Sequence, residues 1–387
     1  MLLKYIMAAT NGKIGDVPSI DDLENYKFVK KLGAGVYGTV ALFKKKITGE
    51  PFTFKFIKSF AFDHQNSNIK REIKMLYSLN EYTFPIPKLH FASQIDSKNI
   101  FSALPEMKLT LTAGSKYFVV ILEYIEGVNL LEFIDNLPDI PSTISTIPPT
   151  ISTIPSTISS TGSSSTQTST PSTTPSTTPS TTPSTTPSTT PTETPQHPLK
   201  QMSILTKYNI ALWLFDIIQN LHDIDIVHRD IKLENIIVSE VNGHLRLYLV
   251  DFGFACSTNI DSPLICPRDG DAGTPLYMAP ETYESRSIVG RFRELDVWSA
   301  GICLFYIVNN IFPWDVYPED KNLPLFKDKR SIQIFAYKLK NDDAAESLKL
   351  PPITTVMMKA LNKNRNLRPP AKILYNELVN DKSKLAI

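Results

Sequence analysis

The stretch His228-Arg229-Asp230-Ile231-Lys232-Leu233-Glu234-Asn235, followed after a strand-like run by Asp251-Phe252-Gly253, decides how the rest of the sequence is read. Working outward from it, residues 236–239 and 245–250 are short apolar, β-type runs that lie between the two motifs. In front of them residues 204–222 read as a long amphipathic helix, and behind them residues 295–309 read as a buried one. Further upstream the pattern changes. Residues 27–31, 39–45 and 52–58 are strands, and Ile69, Ile73 and Leu76 mark a helix over residues 66–78. Residues 117–123 form a strongly apolar strand, and a short helix is expected over residues 129–136. A strand-rich first part and a helix-rich second part imply an α+β protein with two lobes.

Composition narrows the function classes. Forty basic and 39 acidic side chains leave a net charge of +1, which gives no electrostatic footprint for nucleic acid or an anionic membrane surface. No apolar run approaches the roughly 20 residues a bilayer span needs, and residues 1–10 do not read as a secretory signal. The three cysteines, Cys256, Cys266 and Cys303, are too few and too scattered for a disulfide framework or a zinc site. Cys256 is expected to be a small apolar filler, with redox sensitivity as the other reading. The expectation is a cytoplasmic protein, with nuclear entry left open.

Thirteen of the 29 prolines fall between Pro138 and Pro198, a segment without aromatic residues, Lys or Arg. Its second half repeats Pro-Ser-Thr-Thr. Such a segment buries too little apolar surface to offset its ordering entropy, so it is expected to be a disordered spacer. Whether it is only tolerated or recruits partners stays open. The expected organisation is an extension at 1–25, a first part at 26–137, the insert at 138–198, a second part at 199–382 and a tail at 383–387.

Two further features carry chemistry. Gly33-Ala34-Gly35-Val36-Tyr37-Gly38 has a spacing shared with dinucleotide folds, but Thr39-Val40-Ala41-Leu42-Phe43 continues it as a strand and not a helix. A glycine loop between two strands can fold over a nucleotide, its bare backbone approaching phosphates that a Cβ would push away. Lys55 stands mid-strand among Phe52, Phe54 and Phe56, and a buried cation needs a partner; Glu72, on the 66–78 helix, is the candidate.

Taken in order, the glycine loop, Lys55, Glu72, the 228–235 stretch, Asp251-Phe252-Gly253 and Ala279-Pro280-Glu281 resemble the eukaryotic protein kinases, from about Tyr26 to Val379 apart from the insert. The resemblance implies a bilobal fold, a small β-rich lobe over a larger helical one, with ATP and Mg²⁺ as cofactors and Ser/Thr hydroxyls of proteins as acceptors. It implies Asp230 as catalytic base, Lys232 and Lys55 balancing phosphate charge, and Glu72 positioning Lys55. Asn235 and Asp251 become the Mg²⁺ ligands. Residues 33–38 cover the nucleotide; Glu123 and Ile125 offer backbone groups to adenine; Val40, Thr53 and Ile237 enclose it, with Leu122 as gatekeeper. Asp296 is expected to hold the loop backbone, Arg368 to pair with Glu281, Thr274 to bond Asp230 and Lys232, and Leu76, Phe252 and His228 to stack. The same resemblance covers kinase-shaped scaffolds that lack activity, from which the intact Lys55, Glu72, Asp230, Asn235 and Asp251 separate this chain.

Three departures stand out. Thr53 replaces the usual Ala over adenine. Residues 89–117 exceed the usual hairpin by some 15 residues, read as a surface loop. Gly270 stands where relatives carry a phosphorylatable Thr; either Asp269 and Asp271 substitute for the phosphate beside Arg229, or Ser257, Thr258 or Ser262 is the modified site, or the two acids are merely solvated.

Overall fold

The computed structural model describes residues 20–35, 38–59, 67–139, 202–267, 273–284, 292–310, 312–313 and 353–384. The chain divides into two compact units, residues 1–139 with 199–387 and residues 140–198. The second unit lies outside the described residues, as do Val36, Tyr37, Asp269, Gly270 and Asp271.

The first half builds β1 (Tyr26–Gly35), β2 (Gly38–Lys45), β3 (Pro51–Lys58), helix α1 (Ser67–Leu79), β4 (Leu89–Asp96), helix α2 (Ser97–Ala103) and β5 (Lys116–Glu123). The strands form one antiparallel sheet in the order β1-β2-β3-β5-β4. Strand β3 alternates, so Phe52, Phe54 and Phe56 go to one face and Thr53 and Lys55 to the other. The aromatic face gathers Tyr26 and Phe43 around Phe54, with ring centroids 5.0 and 4.2 Å away. On the opposite face Ile57, Phe118 and Val120 pack against Ile69 and Ile73 of α1.

Residues 89–117 are not a surface loop. After β4 the chain forms α2 and a 3₁₀ turn at Pro105–Leu109, and Ile100, Leu104 and Met107 are at most 1% exposed against the aromatic face. Ile100 belongs to α2, Leu104 follows its end and Met107 lies in the 3₁₀ turn; all three join one buried cluster, so the extra length extends the core of the sheet.

The second half begins with β6 (Val128–Asn129) and α3 (Leu130–Asp135), and resumes with α4 (Ile204–Asp223), β7 (Ile226–Val227), β8 (Ile236–Val241), β9 (His244–Leu249) and β10 (Cys256–Ser257). Then come α5 (Glu281–Glu284), α6 (Arg293–Asn309), α7 (Ile353–Ala360) and α8 (Ala371–Lys384). Side-chain oxygens cap two helices: Asn129 accepts from the Glu132 amide at 2.9 Å and Ser203 from the Thr206 amide at 3.0 Å. From Leu295 to Val308 α6 is buried on every side, which makes it the axis of the helical core. Among the described residues no helix is long and apolar enough to cross a membrane.

The cysteines correct the sequence reading. Cys256 and Cys266 form a disulfide with Cα atoms 4.9 Å apart; only Cys303, buried in α6, is free. The chain turns back on itself between them: the Ser257 amide donates to the Leu264 carbonyl at 2.7 Å and the Cys266 amide to the Ser257 carbonyl at 2.8 Å. Ten residues of separation conceal a contact that a folded loop creates.

Candidate active site

A cavity of about 340 Å³ opens between the sheet and the β8–β9 hairpin, within the range of small-molecule sites. Its apolar end is lined by Val40, Thr53, Leu122 and Ile237, with Glu123 and Ile125 at its edge. Leu32, Pro87, Tyr124 and Val250 also line it, and nothing local in the sequence had marked them. The glycine stretch is the end of the β1–β2 hairpin, with Gly33 opposite Val40, Ala34 opposite Thr39 and Gly35 opposite Gly38. Gly38 has φ +138°, and a Cβ there would run into the Phe56 carbonyl, so this position requires glycine.

The other end of the cavity is charged. Lys55 Nζ lies 2.6 Å from Glu72 Oε1 and 3.1 Å from Asp251 Oδ1. Burial works against the Lys55 charge, but the two carboxylates outweigh it and hold the amine protonated well beyond the ordinary lysine range. Burial likewise opposes ionisation of Asp251, and Lys55 outweighs it, keeping the carboxyl below its ordinary range. Lys55 is therefore placed by two acids from two separate elements, α1 and the end of the β9 connection.

Beneath it the 228–235 loop gathers its polar groups around Asp230, which is 3% exposed. Thr274 Oγ1 donates to Asp230 Oδ1 at 2.7 Å and accepts from Lys232 Nζ at 2.7 Å. Asp230 Oδ2 lies 2.9 Å from Lys232 Nζ and accepts from Asn235 Nδ2 at 3.0 Å. A carboxylate offers about four lone-pair positions, so one remains for an incoming hydroxyl. Glu234 is turned away from this cluster and accepts from the Tyr277 hydroxyl at 3.0 Å.

The loop is fixed from below by Asp296, 1% exposed in α6. Its carboxylate accepts the His228 amide at 2.9 Å and the Arg229 amide at 2.7 Å, and meets His222 Nε2 at 3.0 Å. Burial would push the Asp296 carboxyl up; the bond from His222 and the neighbouring histidine and amide bring it below its ordinary range. His222 is the residue that sequence reasoning missed: it stands only as the end of a helical pattern until the fold carries it to Asp296. Arg229 and Asp251 hold left-handed backbone, φ 67° and 65°, an unusual conformation for non-glycine residues that concentrates at functional sites. His228 stacks edge-on against Phe252 with centroids 4.8 Å apart, and Leu76 joins the same core. Arg368 meets Glu281 through two bonds of 2.8 and 3.1 Å.

The donor set suits a hard cation. Asp251 keeps 45% of its side chain exposed toward the cavity, and Asn235 spends both amide hydrogens on Asp230, through its carbonyl at 2.9 Å and its carboxylate at 3.0 Å. That leaves the Asn235 amide oxygen as the group it can offer to a metal. One carboxylate and one amide oxygen at the charged end of the cavity are hard oxygen donors of the kind Mg²⁺ takes, its other positions being open to water. Among the described residues no cluster of three or more His, Cys, Asp or Glu side chains is poised for a metal, so a cage built wholly from such side chains is not what these residues provide.

Comparison with known proteins agrees with this geometry. Residues 197–379 match the family described as the protein kinase domain. Over 108 residues, 27% of this chain, the sequence is 44% identical to serine/threonine-protein kinase GD17699 of Drosophila simulans and 43% identical to CG17528 of Drosophila melanogaster. Over 173 residues it is 30% identical to R436 of Acanthamoeba polyphaga mimivirus, named provisionally as a serine/threonine-protein kinase. The matched part spans 13% of each Drosophila relative and 55% of the viral one.

Proposed function

We propose that this chain, which carries a protein kinase domain of the eukaryotic serine/threonine type, transfers the γ-phosphate of ATP to serine and threonine hydroxyls of protein substrates. The observation that carries the proposal is the convergence of Lys55, Glu72, Asn235 and Asp251 on one cavity, with Asp230 bonded to Asn235 and Lys232 bonded to Asp230; Lys55 and Asp251 are 196 residues apart in the chain. The kinase unit comprises residues 26–137 and 199–382, a β-rich lobe over a helical lobe with the nucleotide between, interrupted in the sequence by residues 138–198. It works in the cytoplasm on protein acceptors.

Phosphoryl transfer asks a protein for positioning and charge neutralisation more than for covalent chemistry. Val40, Thr53 and Ile237 supply apolar walls for the base, and Lys55 holds phosphate oxygens with Glu72 fixing its amine. Asp230 receives the acceptor hydroxyl at its remaining lone pair and takes its proton as the bond to phosphorus forms. Lys232, bonded to Thr274, offsets charge on the transferred group. Asp251 and Asn235 would hold Mg²⁺, which would supply neutralisation of phosphate charge at this end of the cavity.

The test is transfer of labelled γ-phosphate from ATP to a generic basic protein, with Mg²⁺ and with excess chelator, for wild type, Asp230→Asn and Lys55→Met. General-base and charge-stabilising groups each contribute about 10²–10⁴-fold, so both variants are expected to fall by at least about 10². A wild-type rate no higher than that of the variants refutes the enzyme.

A further inference from the structure

The segment that follows Asp251 carries a group that phosphoryl transfer does not use. Cys256 opens β10, whose antiparallel partner β7 pairs Val227 with Cys256 and runs directly into His228 and Arg229. The Cys256 sulfur accepts from Arg229 Nη1 at 3.6 Å, and the Arg229 backbone is pinned to Asp296 next to Asp230. Sulfur, guanidinium and carboxylate thus follow one another through adjacent groups. The ring closed by the disulfide is also tethered on its far side, the Thr258 amide donating to the Asp225 carbonyl at 2.7 Å. Residues Ser257, Asn259, Ser262 and Leu264 of this ring form one wall of a second cavity, of about 610 Å³, which the end of α1 at Lys74 and Tyr77 also lines. Since α1 carries Glu72, the ring borders both the catalytic loop and the helix that positions Lys55.

We propose that Cys256 and Cys266 are a thiol–disulfide modification site acting on the kinase centre, the disulfide form being the assembled, faster enzyme and the dithiol form the slower one; this rests on the kinase reading above. With the ring closed, Lys55 and Glu72 are 2.6 Å apart and Thr274 bonds Asp230 at 2.7 Å, so the closed form has its site in place. The co-reactant is a dithiol. Its thiolate attacks the Cys266 sulfur, since Cys266 is 7% exposed and Cys256 is 0% exposed. A sulfur–sulfur bond forms between reductant and Cys266, the Cys256–Cys266 bond breaks, and Cys256 leaves as a thiolate beside Arg229, a cation that favours it. The second thiol of the reductant then displaces Cys266 and closes its own disulfide. Two electrons and two protons pass to the pair, and the reductant is left oxidised. In a reducing compartment a disulfide is most often one that cycles, which suits this role.

The experiment takes the full chain purified without reductant, then reduced with dithiothreitol, then reoxidised with oxidised glutathione. In each state alkylatable thiols are counted by mass spectrometry after denaturation, alongside the rate of phosphate transfer. One thiol, Cys303, is expected in the closed state and all three in the reduced state. The rate is expected to fall about tenfold on reduction, equivalent to about 1.4 kcal/mol of barrier, and to return on reoxidation. Cys256→Ser and Cys266→Ser should sit at the reduced rate and ignore dithiothreitol, whereas Cys303→Ala should keep the response. Equal rates in the two redox states, or three thiols after oxidation, overturn the proposal. A chain that cycles between one and three thiols yet transfers phosphate in neither state overturns the kinase reading itself.

Discussion

On the floor of the cleft Asp230 sits 3% exposed with partners from Lys232, Asn235 and Thr274, and its backbone neighbours hang from Asp296 in the most buried helix. On the roof Lys55 is held by a 2.6 Å contact with one carboxylate that rides on α1, and by a longer one to Asp251, itself 45% exposed. The two sides meet through Asn235, which lines the cavity with Lys55 and is bonded to Asp230, but their supports differ. The floor is fixed by amides that cannot rotate away, inside a core that excludes water, so its geometry and the fold's stability are one property. The roof depends on where a helix lies, so its geometry can change while the fold stays intact. A site built this way has a permanent half and an adjustable half, and the disulfide ring borders both.

The largest effect is expected where the floor is cut. Asp296→Ala removes a buried acceptor from two amides and His222, and should lower stability by about 3–5 kcal/mol, read as the shift of the denaturant midpoint at constant slope. A loss below 1 kcal/mol would erase the distinction between the halves. Glu72→Gln tests the roof. Its carboxylate is replaced by an isosteric amide that can still accept from Lys55, and Asp251 remains as counter-charge, so stability should fall by only about 1–2 kcal/mol while kcat/KM falls about tenfold, equivalent to about 1.4 kcal/mol. A variant that loses stability as heavily as Asp296→Ala would show that the roof is part of the same core.

Acid supplies the smallest and most selective probe. The Asp296 carboxyl titrates below its ordinary range in the folded chain. Its contribution is therefore present above the unfolded value, about 3.9, and is lost as pH falls through the folded one, because the unfolded state then binds the extra proton. Asp296→Asn should flatten the acid limb of the stability curve by about one proton, measured from denaturation midpoints between neutral pH and acid. An unchanged acid slope would mean that other carboxylates govern it.

Much of this site was legible beforehand because its residues come in short, ordered motifs whose chemistry is local. Lys55 in a run of alternating phenylalanines has one face to occupy, and Glu72 falls on the core side of a helix whose Ile69 and Ile73 are spaced for it. The extra segment before β5 was misjudged because a helix of seven residues leaves few repeats to read, and Leu104 and Met107 of the same buried cluster lie beyond that helix. The disulfide was missed for a different reason. Cys256 and Cys266 carry no pattern, and their meeting depends on a turn made by Asn259 and Ser262, whose side-chain oxygens accept from the Asp261 and Leu264 amides. His222 was passed over in the same way, since nothing in its helix points to a partner 74 residues away.

By itself the sequence determined the α+β composition of the chain, the strand faces and the identity of the charged groups that line the candidate site, since periodicity and side-chain chemistry are local properties. Only the tertiary structure decided which of those groups share a carboxylate, which amides Asp296 holds, and that a sulfur pair closes beside Arg229. Those are contacts between residues distant in the chain, and they exist only once burial has removed the water that would otherwise satisfy each group separately.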